Sequence, residues 1–122
     1  MPQITVDCYH PSDDAFDQDG FARALHEATV EIAAAKPEAC KTLFRYIDAC
    51  QFGYEDPEDD EHAIVHVTIG LLAGRAEETK ARLTEAVLEL LGTYVAPEDG
   101  VTLHASAEVR DLDPSYRKFE RV

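Results

Sequence analysis

The chain is poor in positive charge and in cysteine, and it has no long apolar run. It holds 11 Lys and Arg against 25 Asp and Glu, a formal net charge of −14. A field of that sign repels nucleic acid and anionic membrane surfaces, so neither is an expected partner. Any anionic ligand must then be met by local cations. No apolar stretch approaches the roughly 20 residues that a bilayer-spanning helix needs. No charged-then-apolar leader with a cleavage site is expected, because strand signal begins at residue 3. Cys8, Cys40 and Cys50 are odd in number and lack metal-type spacing. They read as reduced thiols of a cytoplasmic protein, outside any disulfide framework. The chain shows no Ser-His-Asp spacing, no glycine-rich phosphate cradle and no carboxylate pair that stands out from the acidic background. His62 and His66, at i and i+4 on a strand, lie about 13 Å apart, too far for one ion. His66 and His104 read instead as packed, hydrogen-bonded sheet residues.

What is present is a doubled pattern in 122 residues, a length that suits one domain. Residues 3–8 alternate, with Ile4, Val6 and Cys8 on one face and Gln3, Thr5 and Asp7 on the other. A polar loop leads to a helix over about 19–35, whose apolar stripe is Phe21, Leu25, Ala28 and Ile32. Pro37 stops it. A second strand covers 42–49, and residues 55–61 form an acidic loop read as solvated. The pattern then returns. Residues 62–69 read as a strand apolar on both faces through Ile64, Val65, Val67 and Ile69. A turn spans 70–74, followed by a helix over 76–92 with Leu83, Val87, Leu90 and Leu91 inward. Val101, Leu103, Ala105, Ala107 and Val109 alternate in a fourth strand.

The expected fold class is α+β: two β-α-β repeats, about 2–50 and 62–112, in a single domain spanning 1–122. Each crossover should be right-handed with parallel strands. Together they make a four-stranded mixed sheet with both helices on one face. The uncovered face, and a third strand apolar on both sides, point to self-association.

The N-terminus offers a candidate base, beside the plainer reading that many proteins begin Met-Pro to no chemical end. Cytosolic processing generally removes an initiator Met that precedes Pro, and the result here is a secondary amine at the edge of a sheet. An α-amine has an ordinary pKa of about 8. Burial or nearby cations would bring it toward neutrality and let it accept a proton. The stretch Ile64-Val65-His66-Val67-Thr68-Ile69-Gly70-Leu71-Leu72-Ala73-Gly74-Arg75-Ala76-Glu77-Glu78 resembles the strand-to-helix segment of the tautomerase superfamily. Tyr46-Ile47-Asp48, Glu108-Val109 and Leu112-Asp113-Pro114 extend the likeness. With Pro2 and the doubled β-α-β, the chain resembles the fused-repeat branch, the 5-carboxymethyl-2-hydroxymuconate Δ-isomerases.

The resemblance implies a homotrimer and a cofactor-free, metal-free isomerase. Its substrate is a small unsaturated keto or dienol acid, bound as an anion. Pro2 takes the role of general base, and Arg75 binds the substrate carboxylate. Family members usually have Arg at the start of the second strand, where this chain has Lys41. Arg45 lies further along. Lys41 and Arg45 are therefore the further substrate-binding candidates, although lysine lacks the planar fork of arginine. Two other readings fit the same string: a non-enzymatic ferredoxin-like binding or regulatory domain, and a dehalogenase or decarboxylase using the same proline.

Overall fold

The computed structural model describes residues 1–54 and 61–122. The expected loop at 55–61 therefore lies outside the described residues, except for Glu61. In chain order the elements are β1 (Gln3–Tyr9), α1 (Gln18–Ala33), a short 3-10 turn (Pro37–Ala39), β2 (Lys41–Tyr46), β3 (Glu61–Leu71), α2 (Glu77–Tyr94) and β4 (Val101–Asp111). The strands form one sheet in the order β2-β1-β3-β4. β1 runs parallel to β2 and β3 parallel to β4, while β1 and β3 are antiparallel. This is the mixed four-stranded sheet expected from the doubled pattern.

Alternation decides which face is buried. Ile4, Val6, Cys8, Val65, Val67 and Ile69 meet Phe21, Leu25, Leu83, Val87 and Leu91 in one apolar core between the sheet and the two helices. The buried stripe of α1 is Phe21, Leu25, Thr29 and Ala33, not the expected Phe21-Leu25-Ala28-Ile32. Thr29 is fully buried, because its hydroxyl donates to the Leu25 carbonyl at 2.7 Å and leaves its methyl to pack. Ile32 sits beside the core, partly buried. Asp17 caps the helix start by accepting from the Gly20 N–H at 3.1 Å.

β3 is longer than expected because it is paired on both edges to its end: Gly70 faces Gln3 on one side and Arg110 on the other. Gly70 and Leu71 are therefore strand, and the turn starts after them. β2 is shorter, since its last bond to β1 runs from the Ile47 N–H to the Cys8 carbonyl, at 2.9 Å.

The open face of the sheet corrects the expectation for β3. Ala63, Val65, Val67 and Ile69 all point to the helices. Ile64 is the one large aliphatic side chain of residues 62–69 on the other face, among His62, His66 and Thr68. That face is largely polar. Arg45 pairs with Asp7, His66 with Ser106 at 2.6 Å, and Arg110 with Glu108 at 3.1 Å. Two-sided apolarity is thus not what argues for self-association.

Candidate active site

The topology gathers five chain segments at one end of the sheet. β1 and β2 begin there, β3 and β4 end there, and the C-terminal segment leaves from there. Pro2 is buried at this end, directly before β1. Gln3 pairs with Lys41 on β2 and with Gly70 on β3, so the register itself sets Pro2 between the starting Lys41 and the turn that carries Arg75.

The Met1 amine is pushed below its ordinary value. Burial is the first cause and the charge of Lys118 the second; Lys41 and Arg75 act in the same direction, and Cys40 opposes them. An acidic protein therefore surrounds its N-terminus with cations. Removal of Met1 would hand this environment to the Pro2 nitrogen, one residue deeper. The Cys40 thiol is itself pushed up, chiefly by burial, and contacts the Lys36 carbonyl.

Arg75 follows Gly74, whose φ of 122° is a backbone state that suits only glycine. The turn aims the guanidinium at the end of α1. Nε and Nη2 both donate to the Ala33 carbonyl, at 3.2 and 2.9 Å, and Nη1 donates to the Leu72 carbonyl at 3.1 Å. The last turn of α1 has no basic residue of its own, and Ala34 leaves the helix in the left-handed region at φ 58°. Arg75 supplies the missing positive charge at that negative helix end. Its partners are these carbonyls and not the Glu77 or Glu78 carboxylates that follow it in sequence. A guanidinium has five N–H donors, so donors remain for a ligand. A shallow groove of about 510 Å³ lies beside it, lined by Ile32, Ala34, Ala73 and Thr79 among others.

Arg45 is not brought to this end. It sits four residues along β2 from Lys41, and its fork grips both oxygens of Asp7 at 2.6 and 3.0 Å. That bond is the first reason the Asp7 carboxyl lies below its usual range. Tyr46 also lies at the far end, where its hydroxyl donates to Gln18. His66 bonds Ser106, and His104 meets His62 at 3.0 Å beneath the Phe52 ring. Sequence reasoning passed over Lys118. One signal was available: Arg117, Lys118 and Arg121 fall in the last six residues of a chain with only 11 Lys and Arg.

A four-stranded β-α-β-β-α-β sheet with both helices on one face is a tautomerase-like fold. Solved structures share it. The 5-carboxymethyl-2-hydroxymuconate isomerase from Deinococcus radiodurans R1 superposes with a TM-score of 0.79 at 18% identity, over 98% of this chain and 90% of that one. A fused 4-OT described as a wild-type symmetric trimer gives 0.72 at 16% identity, over 97% of this chain and 93% of that one. The FG41 malonate semialdehyde decarboxylase inhibited by 3-bromopropiolate gives 0.55 at 22% identity, over 88% and 83%. No family model matches the chain, and no curated protein matches it by sequence. At these identities the likeness establishes the fold.

Proposed function

We propose that the chain is a cofactor-free isomerase of the tautomerase superfamily. It would shift a proton within a small unsaturated keto or dienol carboxylic acid of the kind met in aromatic degradation. The observation that supports the reading is Pro2 buried directly before β1 and beside the start of β2 at Lys41, where burial and the charges of Lys118, Lys41 and Arg75 hold the N-terminal amine below its ordinary value in a protein of net charge −14. After loss of Met1, the Pro2 lone pair takes a proton from the carbon next to the carbonyl. The C–H electrons move onto the substrate oxygen, giving a dienolate. The same nitrogen then returns the proton further along the conjugated system. A base with a pKa near the working pH does both steps well. Arg75 and Lys41 hold the carboxylate and favour the developing oxyanion. Arg45, bound to Asp7 on the open sheet face, would join such a site only across an interface between protomers.

A homotrimer is part of this reading, in a cytoplasmic setting. Its support is the open sheet face together with the symmetric-trimer state of the fused 4-OT neighbour. Sedimentation equilibrium should return about three times the 13.5 kDa chain mass.

Three measurements test the chemistry. Intact mass should show Met1 absent. 3-Bromopropiolate should label Pro2 once and abolish turnover. An absorbance screen of enol and dienol acids should find a substrate, and Pro2→Gly should lose it. Full activity after labelling, or in Pro2→Gly, rejects the base assignment. Turnover of a 3-oxo acid with loss of CO₂, in place of isomerisation, would move the chain to the decarboxylase branch of the same fold.

A further inference from the structure

We infer that the C-terminal segment, residues 112–122, is a strap over the Pro2 end of the sheet, that its Lys118 is a further substrate-carboxylate ligand, and that its Glu120 occupies the carboxylate position until substrate displaces it. The inference deepens the function proposed above and rests on it.

The strap is anchored where it leaves the sheet. Asp111 accepts from Lys80 Nζ at 2.9 Å, and the Leu112 N–H donates to the Leu71 carbonyl at 2.7 Å. The Leu112 side chain lies so close over Gly70 that a Cβ there would sit 2.8 Å from its Cδ2. The chain then turns, with the Tyr116 N–H bonded to the Asp113 carbonyl at 2.9 Å and the Ser115 N–H to the Asp113 carboxylate at 2.8 Å. The turn delivers Tyr116 to the residue after Pro2: Gln3 Nε2 donates to the Tyr116 hydroxyl at 3.1 Å. Two residues further on, Lys118 stands within electrostatic reach of the N-terminal amine.

Glu120 shows what this cluster attracts. Its carboxylate accepts from Lys118 Nζ at 2.8 Å and also feels Lys41, the residue that pairs with Gln3. A carboxylate of the chain's own is thus held by Lys118, within electrostatic reach of Lys41. Beyond Lys118 the strap is loosely held, with Phe119 and Val122 largely exposed and Arg121 over the Phe119 ring at 5.3 Å. An exposed i,i+2 ion pair is weak, so a bound carboxylate can replace Glu120 at little cost.

The test uses the rate at which 3-bromopropiolate labels Pro2 in the full-length protein, read by mass spectrometry, with the uncharged methyl ester as control. Lys118→Ala should slow labelling by the acid roughly three- to fivefold, and Glu120→Gln should speed it by a similar factor, the range expected for exposed charge pairs. Lys118→Arg should restore the rate. Neither Lys118→Ala nor Glu120→Gln should change the acid-to-ester preference through folding alone, since both sites are exposed. Wild-type protein that resists the acid overturns the base assignment and the strap together. Labelled wild-type protein with unchanged rates in Lys118→Ala and Glu120→Gln, or equal effects on acid and ester, overturns the strap alone.

Discussion

Replacing Arg75 by alanine removes a helix cap and a candidate ligand in one step, and the two losses can be read apart. The cap consists of two donors on the Ala33 carbonyl, at 3.2 and 2.9 Å, and one on the Leu72 carbonyl at 3.1 Å. A hydrogen bond to a charged group contributes about 1.5–3 kcal/mol. Two of these bonds share one acceptor and water can replace part of the rest, so the expected loss is about 1.5–3 kcal/mol in total, not the sum. With a urea slope of about 1–3 kcal/mol per molar for a small protein, the unfolding midpoint should fall by roughly 1 M. Truncating one member of a desolvated charged pair costs about 2–5 kcal/mol, and each 1.36 kcal/mol is tenfold in rate. kcat/KM should therefore drop about a hundredfold when measured well below the unfolding transition. Arg75→Lys keeps the charge and loses the fork, so it should recover part of both. An unchanged urea midpoint in Arg75→Ala refutes the capping role. A lowered midpoint with unchanged kcat/KM means that Arg75 only caps α1.

Four further outcomes are expected. The acid limb of kcat/KM should fall below pH 8, because the base must be neutral and both burial and the neighbouring cations disfavour its charged form; a limb at or above 8 contradicts the cluster. Lys41→Arg should raise kcat/KM for a substrate with two carboxylates more than for one with a single carboxylate, and equal effects would place Lys41 away from the second group. Gly74→Ala, at φ 122°, should cost about 1–3 kcal/mol by urea unfolding, with Arg75-dependent activity lost alongside. Burial holds the His26 imidazole, which bonds Thr42 at 2.7 Å, below its ordinary 6.5. The unfolded chain then binds this proton more readily, so stability should decline as pH falls through about 6.5, and His26→Gln should flatten that decline.

The parts of the fold that follow from side-chain period were legible in the sequence. Alternation at Ile4-Val6-Cys8 and at Leu103-Ala105-Ala107-Val109 gives the strand faces directly, and Pro37 bounds α1. Polarity misled where a hydroxyl satisfies itself. Thr29 belongs to the buried stripe because its oxygen bonds the Leu25 carbonyl within the helix, which a hydropathy reading cannot credit. Residue type also hid the face of Ile64, whose apolar side chain suggested a second buried surface among polar neighbours. At the candidate site, Pro2, Lys41 and Arg75 were legible because each sits beside a strand end. Arg45 and Lys118 were not. Which cations face the amine depends on register and on the fold-back of residues 112–118, held by Leu112 and by the Gln3–Tyr116 bond. Both contacts join residues far apart in sequence.

The doubled β-α-β raises the question of why the chemistry should occupy one end of the sheet. β3, the first strand of the second repeat, begins at Glu61 within continuous chain. The nitrogen there is an amide whose lone pair is delocalised into the carbonyl, so it cannot serve as a base. Loss of Met1 would therefore give the duplicated fold one secondary amine, at Pro2. Charge makes the same distinction. Lys41, Arg75 and Lys118 act on the amine at the Pro2 end. At the opposite end, where β1 and β2 finish, a groove of about 680 Å³ is lined by Asp13, Asp17, Asp19 and Asp48. A small carboxylate meets attraction at one end and repulsion at the other, with the wall of the sheet between them. The net charge of −14 is then compatible with an anionic substrate where Lys41, Arg75 and Lys118 act locally. Raising ionic strength should weaken both fields, most at the exposed Lys41 and Lys118 and least at the partly buried Arg75. Binding carried chiefly by Arg75 should therefore lose less affinity with salt than binding carried by the two lysines. A steep loss of substrate affinity between low and physiological salt would instead assign recognition chiefly to the exposed Lys41 and Lys118.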